Sequence, residues 1–119
     1  MAQYKHLPIY KTTYELLETV TRKTKDFPRD FKYSLGDKIR NECIELVVFI
    51  YKANTLRNQR EENLKQILER VQVIELMLRL SKDLRLLNVT AFSEIVLLTD
   101  SIARQTQGWI THSSNLRAE

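Results

Sequence analysis

The sequence predicts an all-α protein, an up-down-up-down antiparallel four-helix bundle. Three observations carry that expectation. The 119 residues include only two glycines and two prolines, far fewer than strands joined by tight turns require. The commonest residue types (Leu, Arg, Lys, Glu, Ile and Thr) mostly favour helix. Apolar residues also recur at three- and four-residue steps through four segments, and the connections between them are short. A chain of this length makes a single four-helix-bundle domain over residues 1–119, burying about two thirds of its extended surface. Helices joined by a few residues pack most simply as antiparallel neighbours.

The first helix is expected over about 8–26. Pro8 suits a first helical turn, where a missing N–H costs nothing. Tyr10, Tyr14, Leu17, Val20 and Thr21 make one stripe, and Phe27-Pro28 ends the helix because the residue before proline is pushed out of the α region. The second helix, 34–54, starts at Ser34 as N-cap, with Asp37 placed three residues on as in a capping box. Its inner stripe is Leu35, Ile39, Cys43, Leu46, Phe49 and Ile50. Ile44, Val47, Val48 and Tyr51 widen the apolar surface almost all the way round, as in a helix that is central or packed on another subunit.

The third helix, 58–87, turns Leu64, Ile67, Leu68, Val71, Ile74, Leu78 and Leu84 inward, with Met77 and Leu80 broadening the band. Asn88 is a short break and Thr90 can cap the fourth helix, 90–110. That helix carries Phe92, Ile95, Val96, Thr99, Ile102 and Ala103 toward Trp109. Gly108 reads as its weak point or terminator, and the polar tail after Ile110 as frayed.

Composition excludes several functional classes. No apolar run approaches the ~20 residues of a membrane span, and Met1-Ala-Gln-Tyr-Lys-His lacks the apolar core of a signal peptide. The single cysteine, Cys43, cannot form an internal disulfide, so a cytoplasmic protein with no membrane association is expected. His6 and His112 lie near opposite chain ends, and a metal site needs several convergent ligands. Glu15 with Glu18, and Glu42 with Glu45, have carboxylate-site spacing but lack the Glu-x-x-His partner of a di-iron bundle. Cys43 falls in an apolar stripe and reads as a small core residue. There is no phosphate-cradling glycine loop. No catalytic residue, metal site or cofactor is expected, and the chain does not read as an enzyme.

Charge is more informative. The net charge is +4, and residues 1–60 hold 12 Lys/Arg against 7 Asp/Glu, while residues 61–119 hold 7 against 8. Between Arg22 and Arg40 lie Arg22, Lys23, Lys25, Arg29, Lys32, Lys38 and Arg40, interleaved with Phe27, Phe31 and Tyr33. Basic side chains displace counterions from phosphates, and aromatic rings stack on unpaired bases. The residues alone leave two readings open, with ordinary solvated surface and aromatics covering the bundle end somewhat ahead of nucleic-acid contact. Arg79, Lys82 and Arg85 form a second, weaker stripe, partly neutralised by Asp83 and Glu75.

Five landmarks fall in order along the chain: Leu7-Pro8-x-Tyr10, Phe27-Pro28-Arg29 followed by Tyr33-Ser34-Leu35-Gly36, Tyr51-x-Ala53-Asn54, Leu78-Arg79-Leu80-x-x-Asp83-Leu84, and Gly108-Trp109. Together they resemble the family of small four-helix-bundle proteins that includes the accessory variability determinant (Avd) of diversity-generating retroelements. Its relatives are bundle proteins encoded in intervening sequences of ribosomal RNA. The resemblance implies a non-enzymatic accessory protein and a homo-oligomer, specifically a ring-like homopentamer. It further implies binding to a reverse transcriptase and to template RNA or DNA in support of mutagenic reverse transcription. By that resemblance the seven basic residues from Arg22 to Arg40 are the nucleic-acid or partner contacts, and Pro28, Gly36, Gly108 and Trp109 are structural landmarks. The excess apolar surface of the second helix independently suggests an oligomer interface at Ile44, Val48 and Tyr51. The alternative is a structural oligomeric adaptor, like the intervening-sequence proteins, that holds a protein partner without nucleic-acid function.

Overall fold

A computed structural model describes residues 3–118. Residues 1 and 2, which belong to the N-terminal segment considered above as a leader, lie outside the described residues, as does residue 119. The protein is an all-α four-helix bundle. Its long helices are α1 (Pro8–Thr24), α3 (Asp37–Thr55), α4 (Arg60–Asp83) and α5 (Val89–Ala118). A single turn, α2 (Arg29–Phe31), runs through a π-helical segment (Lys32–Gly36) directly into α3, and a 3-10 turn (Arg57–Gln59) precedes α4. In cross-section the helices form a square in which α1 and α4 each pack against both α3 and α5. Side-chain contacts fix the antiparallel pairing: Glu42 on α3 meets Arg70 on α4, Thr99 on α5 meets Glu75 on α4, and Gln105 on α5 meets Thr12 on α1.

The core follows the sequence pattern in α3, where Ile39, Cys43, Leu46, Ile50 and Ala53 are buried, and in α4, where Leu64, Ile67, Val71, Ile74 and Leu78 are. Each fully buried Leu, Ile or Val contributes roughly 1.5–3 kcal/mol. In α1 the inward stripe lies one residue earlier than Tyr10, Tyr14, Leu17 and Thr21 predict. The buried residues are Ile9, Thr13, Leu16, Thr19, Val20 and Thr24, and Tyr14 and Thr21 are exposed. The pattern of apolar letters misled because threonine can enter a helical core by donating its hydroxyl to the carbonyl four residues back. Thr13 donates to Ile9 at 2.8 Å, and Thr24 to Val20 at 2.7 Å. Thr106 in α5 does the same to Ile102.

Three termini differ from the sequence expectations. Ser34 does not cap the second helix: helical structure already begins at Arg29, and the Ser34 hydroxyl donates to the Asp30 carbonyl inside it. Pro28 instead supplies the carbonyl that accepts from Phe31 and Lys32. At the start of α5 the cap is Asn88, not Thr90, with the Ala91 N–H donating to Asn88 Oδ1 at 2.7 Å, the usual N-cap to N3 bond. Gly108 does not end α5, which continues to Ala118. Leu84, expected to face inward, is 44% exposed.

Candidate functional site

The topology brings the C-terminus of α1, the N-terminal entry to α3, the C-terminus of α4 and the N-terminus of α5 to one end of the bundle. Arg22 and Lys23 occupy the last turn of α1, where cations complement the negative end of the helix dipole. Lys25 follows in the connection and Arg29 opens α2; all four side chains are exposed. Lys38 is exposed on the first turn of α3, and Lys32 is half-buried with its ammonium 5.5 Å from the Tyr33 ring centroid. Of the seven basic residues singled out in the sequence, five are exposed and Lys32 is half-buried beside Tyr33.

Arg40 is different, because it is tied internally. Its guanidinium donates to Thr24 Oγ1 at 2.5 Å, to the Lys32 carbonyl at 3.4 Å and to the Asp37 carboxylate. It thus joins the end of α1 to both ends of the π-helical segment. π-Helical turns are rare, and a single wide turn leaves backbone groups to be satisfied from outside. Gly36 lies beneath this latch: a Cβ there would sit 3.3 Å from Arg40 Nη1 and 3.4 Å from both the Phe31 carbonyl oxygen and Thr24 Cβ. Glycine lets α1 and the π turn approach this closely.

The aromatic residues divide likewise. Phe27 is buried and Phe31 is packed against the core, so both cover the bundle end. Tyr33, 63% exposed, is the one of the three available for stacking. The topology also adds residues that spacing alone left weak. Arg79, Lys82 and Arg85, at the end of α4, belong to this same bundle end. Arg79 and Arg85 are exposed, and Lys82 lies 5.0 Å from the Phe92 ring centroid and 3.8 Å from Asp83. Ten cations therefore gather here, accompanied by Asp26, Asp30, Asp37, Asp83 and Glu94. The signal for the α4 residues was the antiparallel topology rather than any local motif.

The apolar candidates lie elsewhere. Ile44 and Tyr51 are 47% and 39% exposed on α3, and Val48 between them is half-buried. Tyr51 also edges onto Tyr4, ring centroids 5.3 Å apart, and Tyr4 in turn onto Tyr10. A second strip, not singled out from the sequence, runs along α4 through Val73, Leu76 and Leu80 to Leu84 at its C-cap, all exposed. Their i, i+3, i+7, i+11 spacing puts them on one helix face.

Cys43 and Glu42 are taken up by the packing of α3. Burial, and then the neighbouring Glu42 carboxylate, push the Cys43 thiol up to about 12, so it carries no thiolate at neutral pH. Glu42 itself is paired with Arg70 at 3.1 Å, and the Arg70 guanidinium also lies 5.8 Å from the Phe49 ring. His6 and His112 are exposed. Among the described residues no group of three His, Cys, Asp or Glu side chains is placed to hold a metal ion. No helix among them is long and apolar enough to cross a membrane.

A comparison with curated proteins finds no match. A comparison with protein families matches residues 7–113, from the turn before α1 to the last turns of α5, to the family described as bAvd-like. With four helices and the five ordered landmarks inside that span, the chain belongs to the bAvd-like family of accessory proteins.

Proposed function

We propose that the chain is an oligomeric, non-enzymatic accessory protein of a diversity-generating retroelement. It binds the reverse transcriptase and its template RNA or cDNA and so supports mutagenic reverse transcription. Family membership gives the general role, and the observation that supports the nucleic-acid part is the basic bundle end. Arg22, Lys23, Lys25 and Arg29 are exposed there with no ion-pair partner among the described residues. Unpaired surface cations of this density neutralise phosphates and release counterions. Tyr33 beside them offers a stacking face.

The test is RNA binding by the protein carrying Arg22→Glu, Lys23→Glu, Lys25→Glu and Arg29→Glu. Binding is expected to be lost while the bundle stays folded; unchanged binding would refute the basic-end reading. Association with a reverse transcriptase is tested separately by co-purification of the two proteins with nuclease present, so that a bridging RNA is not mistaken for direct contact.

The exposed apolar strips serve as assembly surfaces in either reading, the accessory protein or a structural adaptor. Ile44, Val48 and Tyr51 lie on α3, whereas Val73, Leu76 and Leu80 lie on α4 and Leu84 caps its C-terminus. Two unlike apolar surfaces on one subunit suit a head-to-tail contact, which closes into a ring when the rotation allows. The homopentamer implied by the family resemblance is such a ring. Ile44→Lys with Val48→Lys is expected to reduce the native mass to that of a monomer. An unchanged oligomer would move the interface elsewhere. If the assembled protein held a protein partner but no nucleic acid at any salt concentration, the adaptor reading would replace the first.

A further inference from the structure

At the end of α4 one residue keeps an unfavourable backbone. Arg85 has φ 64°, the only positive φ among the described residues. Two hydrogen bonds define its position as the residue just past the helix cap in a Schellman turn: Leu86 N–H donates to the Ser81 carbonyl at 2.8 Å, and Arg85 N–H to the Lys82 carbonyl at 2.9 Å. Glycine is the residue that this position ordinarily takes, because a Cβ in the left-handed region meets the following carbonyl. A glycine here would fit the same turn without strain. The arginine side chain does not compensate within the fold, being exposed and without an ion-pair partner among the described residues.

We propose that Arg85 is a nucleic-acid contact, held at a glycine position so that its guanidinium meets the phosphates of a single strand bound across the basic bundle end. The inference rests on the nucleic-acid reading given above and assigns α4 a share in that site. Arg79, Lys82 and Arg85 recur at three-residue steps, and the antiparallel topology sets them at the end shared with Arg22, Lys23, Lys25 and Arg29. Guanidinium suits the task because its planar fork pairs with phosphate oxygens while remaining charged at any pH the protein meets. A strand lying over this end would touch cations from α1, α2 and α4 together, with Tyr33 near its path.

The test uses the full chain and a mixed-sequence single-stranded RNA oligonucleotide, with Arg85→Gly and Arg85→Lys compared with the unmodified protein. Arg85→Gly is expected to melt higher, by roughly 2–6 °C, yet to bind RNA more weakly. The slope of log K against log salt should become shallower by about 0.7, as for one lost phosphate contact on a single strand. Arg85→Lys should keep both the melting temperature and the slope. If Arg85→Gly melts higher but binds RNA with the original affinity and slope, Arg85 is only a poor cap and the proposal is overturned. A lower melting temperature for Arg85→Gly would overturn the argument from backbone strain. Weakened binding to poly-glutamate with unchanged RNA binding would overturn it in favour of an acidic protein partner. Should the unmodified protein bind no RNA, the underlying nucleic-acid reading fails with it, whereas RNA binding that depends on Arg22 to Arg29 but not on Arg85 sinks this inference alone.

Discussion

Each end of the bundle is fastened by one arginine and carries one glycine, and the two ends use them differently. At the basic end Arg40 bonds to Thr24, Lys32 and Asp37, and Gly36 is buried directly beneath it. At the opposite end Arg60 donates to the Ala53 carbonyl at 2.6 Å and the Asn54 carbonyl at 3.1 Å, closing the end of α3, with its guanidinium 5.6 Å from the Trp109 ring. Gly108, the neighbour of that ring, is exposed, and a Cβ on it would meet nothing within 4 Å. The same two residue types therefore mean close packing at one end and an open helix surface at the other. A basic residue near a bundle end is a ligand contact only if its charge is not already used to hold backbone together.

Arg40→Ala should be the most disruptive change at either end. It removes charge-assisted bonds from a partly buried site and the tie that holds the wide turn to α1, while the Thr24 hydroxyl keeps its bond to Val20, at a cost of about 2–3 kcal/mol by chemical denaturation. The folded fraction should nonetheless bind RNA with an unaltered salt slope, which distinguishes a latch from a phosphate contact. Arg60→Ala should cost about 2 kcal/mol, from two lost bonds to helix-terminal carbonyls and the stacked ring. A smaller loss at Arg40 than at Arg60 would reverse the ranking and place the tighter end at Trp109.

The glycines sharpen the contrast in the other direction. Gly108→Ala should stabilise the protein by roughly 0.5–1 kcal/mol, since alanine is the better helix former and the site is empty. Gly36→Ala gains the same propensity, but its Cβ would crowd Arg40, Phe31 and Thr24, so its melting temperature should fall below that of Gly108→Ala. Equal melting temperatures would show that the π turn relaxes freely.

Cys43, between the two ends, gives a pH dependence. Its thiol is raised from 9.0 to about 12 by burial and by Glu42, so the folded state favours the neutral form. That preference is fully present below about pH 9, and stability is lost as pH rises from there toward 12. A denaturation midpoint that does not fall between pH 8 and pH 10.5 would contradict this. Iodoacetamide should accordingly modify Cys43 only through unfolding.

Much of the fold was legible because α3 and α4 bury plain aliphatic residues at helical spacing, and because Phe27-Pro28 can only interrupt a helix. What escaped had no letter to mark it. Thr13, Thr24 and Thr106 enter the core by satisfying their own hydroxyls, which a hydrophobic pattern does not count. The α4 terminus is a glycine-type turn made with Arg85, so no glycine announced it. Asn88 and Thr90 are both good caps, and only the backbone decides between them. At the candidate site the exposed run from Arg22 to Arg29 was readable from composition, but the internal ties of Arg40 and the placement of Arg79 and Arg85 at the same bundle end are products of topology. The exposed strip from Val73 to Leu84 was hidden because Leu80 read as a broadened core and Leu84 as facing inward.

The central claim is that position, and not net charge, makes one end of this bundle the nucleic-acid surface. Its most direct test is an RNA salt titration of two variants with equal change in charge. One carries Arg22→Glu, Lys23→Glu, Lys25→Glu and Arg29→Glu; the other carries Lys5→Glu, Lys11→Glu, Arg57→Glu and Arg104→Glu, all exposed residues outside the basic end. The first should lose RNA binding at physiological salt, and the second should keep most of its affinity and nearly the full slope. Equal loss in both variants, or loss only in the second, would contradict the claim.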